Sequence, residues 1–598
     1  MLNMRKLTIL IAALLLSACA TAPDVSDKGV DTRHRTMPEV PAERTAEQLY
    51  ARARQAPLQQ QPVLLLQAVM LWQQQDDCRS ALKVLQPLIP ELRDETQQDQ
   101  ARLIRSQCLL ALDKPALASA SLEKVSNNIH ILPARLSLSA ELAEYHRQYL
   151  SAARSHAELI SLDPSRAESG YKKIWQLLEQ IDSKDLPAPM AQHGYLDPWL
   201  ELARITRTAP GVELTQRINL WQQQYPDYSL PEPVQQLLQQ AHYQPQNIAV
   251  ILPLSGRLAS QGQALKEGIL AAYFDTSQLR EDRTQLTFYD SVVLDETEIR
   301  TLALQHDFVL GPLIRENIPA ILSQLPPSTP ALLLNRLEQE EVSPHRYFYS
   351  LAPEDEAEQL ASYLHAKGYR RPVLISAKRQ LFERMAEHFM HRWQTLDKRE
   401  PSLMTFTDNK SMRDAVDTLL DIQQSERRIN QLQRLVNKEI HSFARNRRDV
   451  DAIVVFSNPA QTELLNPMIE SSISPFASIV PVFASSRSFS KELGNNSLRD
   501  LRNLMFVDMP WMLPGTNAQI KDRVNQLWPD RNDSQSRLFA MGYDAYQLVP
   551  ELTTLHHLQG RQLQGLTGKL SMDRQQRIVR QLPFGKIEQD KVISLAGD

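Results

Sequence analysis

The chain has little cysteine. Its 598 residues hold three, Cys19, Cys78 and Cys108. That is too few for a disulfide scaffold, and without a histidine pair nearby it makes no zinc site. No charge of one sign dominates. A net charge of -4 excludes the broad basic field of a nucleic-acid binder. The marked apolar run near the N-terminus, Leu7 to Leu16, is ten residues long and broken only by Thr8. A helix crossing a bilayer of about 30 Å needs roughly 20. Catalytic signatures are missing too: there is no His-Glu-x-x-His, no Gly-x-Ser-x-Gly and no phosphate loop. Ser488 and Lys491 fit Ser-x-x-Lys, as do Ser121 and Lys124. The companions of that motif are absent: no Ser-Asp-Asn follows, and Thr567-Gly568-Lys569 reverses Lys-Thr-Gly. The expectation is a non-enzyme with no metal and no cofactor. Glycine is also scarce at first. Only Gly29, Gly170, Gly194 and Gly211 precede residue 245, and the other 13 of 17 follow it. A glycine-poor first half suits packed helices, and a glycine-punctuated second half suits strand-to-helix turns.

What is present begins with residues 1–18. Arg5 and Lys6 form a cationic head, the apolar run follows, and Leu16-Ser17-Ala18-Cys19 closes it. This is the layout of a secretory signal. The last four residues resemble the lipobox of bacterial lipoproteins. That resemblance implies cleavage before Cys19 and acylation of its thiol. Ala20 is not the acidic residue associated with inner-membrane retention, so it implies the inner leaflet of an outer membrane, facing the periplasm. Several acyl chains, at about 0.8 kcal/mol per buried methylene, anchor a protein durably. Residues 19–45 are rich in Pro, Thr and charge and carry no apolar period. They read as a tether that spans roughly 80–90 Å when fully stretched. Cys78 and Cys108 would then sit in an oxidising compartment and form a candidate disulfide; sequence does not fix whether their Cα atoms lie within about 7 Å.

From 46 to 244 the apolar period is helical. Leu64, Ala68, Leu71 and Trp72 recur at helix spacing, as do Leu103, Ile104, Cys108 and Ala111. A weak repeat joins Ala81/Leu85/Leu88, Ala118/Leu122/Val125 and Ala153/Ala157/Ile160, with starts 37 and 35 residues apart. Stacked hairpins of this kind resemble tetratricopeptide repeats, although the Trp-Leu-Gly-Tyr part of that consensus is missing. From 246 to 598 the pattern changes. Ile248–Leu252, Phe308–Leu310, Ala331–Leu334, Val373–Ile375 and Ala452–Phe456 are short, β-branched or bulky apolar runs. Each is followed by a break and then a helical pattern, which predicts doubly wound α/β sheets. Ala264, Gly268, Ala271 and Ala272 give the first of these helices a small face, expected to lie close on a sheet.

The order of these units resembles the type I periplasmic binding proteins. Ile251-Leu252-Pro253-Leu254-Ser255-Gly256 with Gly268 and Ala271, then Leu310-Gly311-Pro312-Leu313, then Pro330–Asn335, match successive landmarks of that family. Phe348-Tyr349-Ser350-Leu351 with Asp355 and Gln359, Tyr543-Asp544-Ala545 and Leu566–Leu570 complete the series. The resemblance implies a two-lobed domain. An acylated start, a helical domain and such a domain in one chain further resemble a family of lipoproteins that activate class A penicillin-binding proteins. That likeness implies a regulator of peptidoglycan synthesis. It would act as a monomer that docks on a bifunctional synthase and stimulates its transpeptidase.

Ligands of two-lobed α/β folds sit at strand ends, here Ser255, Asn335, Ser350, Ser457 and Asn458, with Arg257 close to the first. The same residue types cap helices, so both readings stand. Residues 422–449 add a helix-like segment before the 452–456 strand. Ile429, Leu432, Val436, Ile440 and Phe443 give it an apolar side, and Arg427, Arg428, Arg434, Lys438, Arg445, Arg447 and Arg448 make it basic. It is a candidate partner-binding surface, Arg427, Arg428 and Arg434 foremost. Met509-Pro510-Trp511-Met512-Leu513 is expected to be buried near a hinge. The competing functional reading is a lipid-anchored solute receptor for an amino acid or similar molecule.

Overall fold

The computed structural model describes residues 45–188, 194–239, 244–277, 284–337, 343, 345–436, 446–473, 479–558 and 560–595. Cys19, with the expected signal and tether, lies outside them. Two compact units emerge among the described residues, divided between Val125 and Ser126. The boundary falls inside the stretch read from sequence as one helical domain.

The first unit contains α1 (Ala46–Gln55), α2 (Gln61–Gln74), α3 (Cys78–Leu88), α4 (Glu95–Ala111) and α5 (Pro115–Leu122). Local chemistry starts these helices. Thr45 and Gln48 form a capping box on α1, and Asp77 and Asp94 accept from Ser80 N and Gln97 N at the starts of α3 and α4. Each such cap stabilises by about 1 kcal/mol. Leu66, Val69, Trp72, Leu85, Leu88, Ile104 and Cys108 share one core. A Cys78–Cys108 disulfide, with Cα atoms 4.9 Å apart, joins the start of α3 to the end of α4.

The second unit begins with α6 (Leu132–Tyr145), α7 (Tyr149–Leu162), α8 (Ala167–Glu179), α9 (Asp197–Thr208), α10 (Gly211–Gln224) and α11 (Glu232–Gln239). Its helical core is aromatic: Trp199 and Trp221 are fully buried beside Trp175, Leu200 and Ile218, and Trp221 Nε1 donates to Pro198 O at 2.8 Å. The period then switches to strands: β1 (Asn247–Leu252), β2 (Gln285–Asp290), β3 (Phe308–Leu310), β4 (Ala331–Leu333) and β5 (Arg346–Tyr349). Between and around them lie α12 (Ala259–Ser277), α13 (Glu296–Gln305) and α14 (Ile318–Gln324). After α15 (Pro353–Ala366) come β6 (Pro372–Ala377), α16 (Gln380–Leu396), β7 (Ser402–Phe406), α17 (Asn409–Leu419), α18 (Ile422–Val436) and β8 (Ala452–Phe456). The chain continues through α19 (Pro459–Ser472), β9 (Val482–Ala484), α20 (Asn495–Asp500), β10 (Met505–Val507), α21 (Ala518–Leu527), α22 (Asp533–Leu548) and α23 (Leu552–His557). It ends in β11 (Leu563–Gln564), β12 (Lys569–Met572), β13 (Arg577–Gln581), β14 (Phe584–Glu588) and β15 (Lys591–Leu595).

Two sheets result, ordered β11-β12-β13-β5-β4-β3-β1-β2 and β15-β14-β10-β9-β8-β6-β7. The strands from β13 through β2 run parallel, as do β10 through β7, while β11, β12, β14 and β15 join antiparallel. Strands β1, β3, β4, β6 and β8 are nearly all buried, as fully covered parallel strands require. The chain passes between lobes after β5, between β10 and α22, and between β13 and β14.

The small face of α12 does not serve a sheet, as expected from sequence, at its closest approach. A Cβ on Gly268 would overlap the Phe539 carbonyl oxygen, and one on Gly542 would overlap that of Leu265. The two glycines let α12 and α22 cross backbone to backbone. The helices α8–α11 are fastened to the first lobe by Arg561. Its guanidinium donates to Thr206 O and Ala209 O at 3.1 and 3.0 Å, at the C-terminus of α9, and pairs with Glu551 at 2.9 Å. Leu558 adds an apolar contact to the aromatic core. Among the described residues no helix is long and apolar enough to cross a membrane.

Candidate functional site

Most strand-end residues are spent on the fold. Asn458 forms a capping box with Gln461 at the start of α19. Ser457 Oγ lies 2.7 Å from Thr462 Oγ1 in the same helix. Asn335 Nδ2 donates to Leu313 O at 3.0 Å, and its Oδ1 accepts from Arg336 N at 2.9 Å, so it ties two loops together. Ser255 precedes a 3-10 turn; the Asp290 carboxylate beside it accepts from Leu254 N and Val292 N. Arg257 is exposed. Ser350 alone of the five is buried with an unpartnered hydroxyl.

The two residues expected to mark the crossover do so. Asp355 pairs with Arg336 at 2.7 Å. Gln359 reaches the third crossing, its Nε2 donating to Leu582 O at 2.7 Å and its Oε1 accepting from Leu582 N at 2.9 Å. The Met509–Leu513 run has Met509, Trp511, Met512 and Leu513 all buried.

The same layer holds charges that the sequence reading missed. Glu356, in the first turn of α15, accepts from Ser486 N at 2.9 Å and Ser486 Oγ at 2.8 Å. Asp508, after β10, forms a two-pronged ion pair with Arg537 of α22, one arm at 2.8 Å, and Arg537 also donates to Ser486 O. Burial works against the Arg537 charge, but Asp508 more than offsets it and the guanidinium holds its proton more tightly. Arg487 is pushed the other way, first by burial and further by Arg537 and Arg580, with Glu356 opposing. Arg580 of β13 is 4% exposed. Nearby, Asp544 accepts from Leu566 N and Thr567 N, each at 2.7 Å, and from Thr567 Oγ1 at 2.5 Å. Burial still lifts its carboxyl to about 6. One signal of this layer was legible: Arg580 occupies an inward position of an alternating strand, where an apolar residue belongs.

The Ser-x-x-Lys serines have other work. Ser488 is fully buried and its Oγ donates to Ser457 O at 3.0 Å. Ser121 Oγ donates to Arg102 O at 3.0 Å. Among the described residues no cluster of three His, Cys, Asp or Glu side chains could hold a metal.

The basic segment is a helix, α18, as far as Val436; Lys438, Ile440, Phe443 and Arg445 lie outside the described residues. Arg427, Arg428 and Arg434 are exposed, and among the described residues Arg428 has an ion-pair distance of 3.8 Å to Asp421. Its apolar side is exposed as well: Leu432, Leu435 and Val436 are 54%, 80% and 49% accessible. Arg447 pairs with Asp449 at 2.7 Å, and Arg371 pairs with it at 2.9 Å. These bonds hold the Asp449 carboxyl well below the usual range, Arg447 contributing most.

A family model described as "LppC putative lipoprotein" matches residues 40–589. A Photobacterium profundum protein named penicillin-binding protein activator LpoA is 30% identical over 471 residues, 77% of this chain and 76% of its own. A Vibrio cholerae protein of the same name is 27% identical over 608 residues, 97% of each chain. Among solved structures, Haemophilus influenzae LpoA superposes with a TM-score of 0.62 at 20% identity, covering 93% of this chain and 98% of that one, which shows a shared fold. The match across nearly the whole length places this chain in the LppC lipoprotein family.

Proposed function

We propose that this protein is a non-enzymatic activator of a class A penicillin-binding protein, anchored through acylated Cys19 in the inner leaflet of the outer membrane and facing the periplasm. In this reading residues 1–18 are removed, 19–45 form the tether, 46–244 a helical domain and 246–598 the two-lobed domain. It acts as a monomer without cofactor. The observation that carries the proposal is the near full-length match to proteins named as penicillin-binding protein activators. Helix α18 supplies a surface on which exposed leucines are flanked by arginines. Arg427, Arg428 and Arg434 steer the partner, since charge complementarity acts mainly on association rate.

The test is reconstitution. A class A synthase is assayed on lipid-linked peptidoglycan precursor with and without the full chain, and cross-linked product is measured. The expected result is a several-fold rise in cross-linking; no rise at saturating protein rejects the proposal. Combined R427E, R428E and R434E slows association roughly tenfold at low salt, measured by surface plasmon resonance. Unchanged rates remove α18 from the interface. Labelling by a fluorescent β-lactam distinguishes an enzyme from an activator: the synthase is labelled, and Ser488 is not.

A further inference from the structure

The parallel strands of the second sheet begin together at one edge, opposite to the strand ends where ligands of two-lobed folds sit. Val373 of β6 is in register with Ser402 of β7, and Pro372 with Ala452 of β8. The loops that lead into β6, β7 and β8 meet around a cavity of about 260 Å³. Its lining includes Arg370, Arg371, Arg399 and Arg447, and among the described residues Glu400 is its one acid. The other carboxylates of these loops stand behind the arginines. Asp451 accepts from Arg370 N and Arg371 N, so it holds the backbone and not the guanidiniums. Asp449 is shared between two cations, Arg447 at 2.7 Å and Arg371 at 2.9 Å. Asp397 lies 3.4 Å from Arg399 Nε. Arg370 Nη1 donates to two carbonyls, His365 O and Tyr369 O, each at 2.9 Å. Carbonyls orient a guanidinium without neutralising it.

Among the described residues these loops carry six cations, Lys398 and Arg448 joining the four arginines, against four carboxylates, Glu400 and the three aspartates. Asp421, at the turn whose Leu420 O accepts from Arg447 N, is matched by Arg428 at 3.8 Å. Two positive charges are left over around the cavity. Arg371 and Arg399 are just over half exposed, at 54% and 56%, so their forks remain open to a ligand. A guanidinium fork meets phosphate oxygens in pairs, and one phosphate group can accept from several forks at once. Its charge of about −1.5 to −2 near neutral pH is close to the excess here. We infer that this cavity binds a phosphate group, with Arg371, Arg399 and Arg447 donating to it and Arg370 adding to the field. The fold supports the arrangement, because three strand starts held in register fix the loops that carry the arginines. The inference does not depend on the activator reading.

A phosphate group can arrive free, on a small organic molecule or on a lipid headgroup. Inorganic phosphate, glycerol 3-phosphate and dihexanoyl phosphatidylglycerol below its micelle concentration separate these sources, and acetate is the control for a lone carboxylate. Each is titrated into the full chain by calorimetry, at constant ionic strength set with chloride. The expected result is one saturable site per chain for at least one of the three phosphates. Binding of inorganic phosphate or glycerol 3-phosphate without the lipid assigns a soluble ligand; tightest binding of the lipid assigns a headgroup. Arg371→Gln and Arg399→Gln each weaken binding roughly tenfold, the loss of one charged hydrogen bond. Arg399 is exposed and held only loosely by Asp397, so R399Q carries the test if R371Q does not fold. Arg93→Gln makes the same change of charge at an exposed site in the first unit and leaves binding unchanged. No saturable site for any of the three phosphates overturns the inference. So does equal affinity for acetate, undiminished binding in R399Q, or an equal loss in R93Q.

Discussion

The strand ends and the layer between the lobes lie close in the chain yet solve opposite problems. At the strand ends polar residues satisfy the backbone: Asn458 caps α19, Ser457 meets Thr462, and Asn335 stitches loops. In the interlobe layer buried charges find partners in other segments of the chain, Glu356 in the hydroxyl and N–H of Ser486 and Asp508 in Arg537. The first arrangement adds small local increments. The second is all-or-nothing, because a buried charge that loses its partner cannot turn to water.

That contrast can be broken most sharply at Arg537. Arg537→Met leaves Asp508 buried and unpaired, and costs about 3–5 kcal/mol. Urea unfolding measures it, and a loss below about 1 kcal/mol would mean that the pair is not buried in solution. Replacing Asp508 and Arg537 together with apolar residues should recover much of the loss.

A second, smaller effect concerns pH. Asp544 titrates at about 6 in the fold against an ordinary 3.8. The folded state therefore binds the proton more tightly than the unfolded chain. The stability tied to this proton is fully present below about pH 4 and is lost as pH rises through 6, amounting to about 3 kcal/mol. Urea midpoints across this window should fall with rising pH, and Asp544→Asn should flatten the slope. A variant with the parent slope would place the proton elsewhere.

The smallest effect belongs to the strand ends. Asn458→Ala removes one cap and costs about 1 kcal/mol, with cross-linking stimulation unchanged. A loss of stimulation at wild-type stability would return Asn458 to the functional surface.

The contrast also explains what the sequence could reveal. Apolar runs such as Ile248–Leu252 and Ala452–Phe456 announce buried strands because periodicity is local, and β1 and β8 follow them. The residue type at Asn458 suits a cap or a ligand and favours the cap, and it caps α19. The interlobe charges had no local signature: Glu356 and Ser486 are 130 residues apart, and only the fold brings them together. The small residue at Gly268 signals a close approach, but the sheet it suggests is the wrong neighbour: the approach is to α22. In α18 the apolar period was legible, but periodicity does not distinguish a face that packs from one that stands exposed, as Leu432 and Val436 do.

The account stands most directly on reconstituted synthesis. With the full chain added to a class A penicillin-binding protein on lipid-linked precursor, it predicts more peptide cross-links per glycan made. It also predicts that the gain shrinks when Arg427, Arg428 and Arg434 are reversed in charge. Cross-linking that stays at the level of the synthase alone, with the chain shown to be folded and in excess, would contradict it.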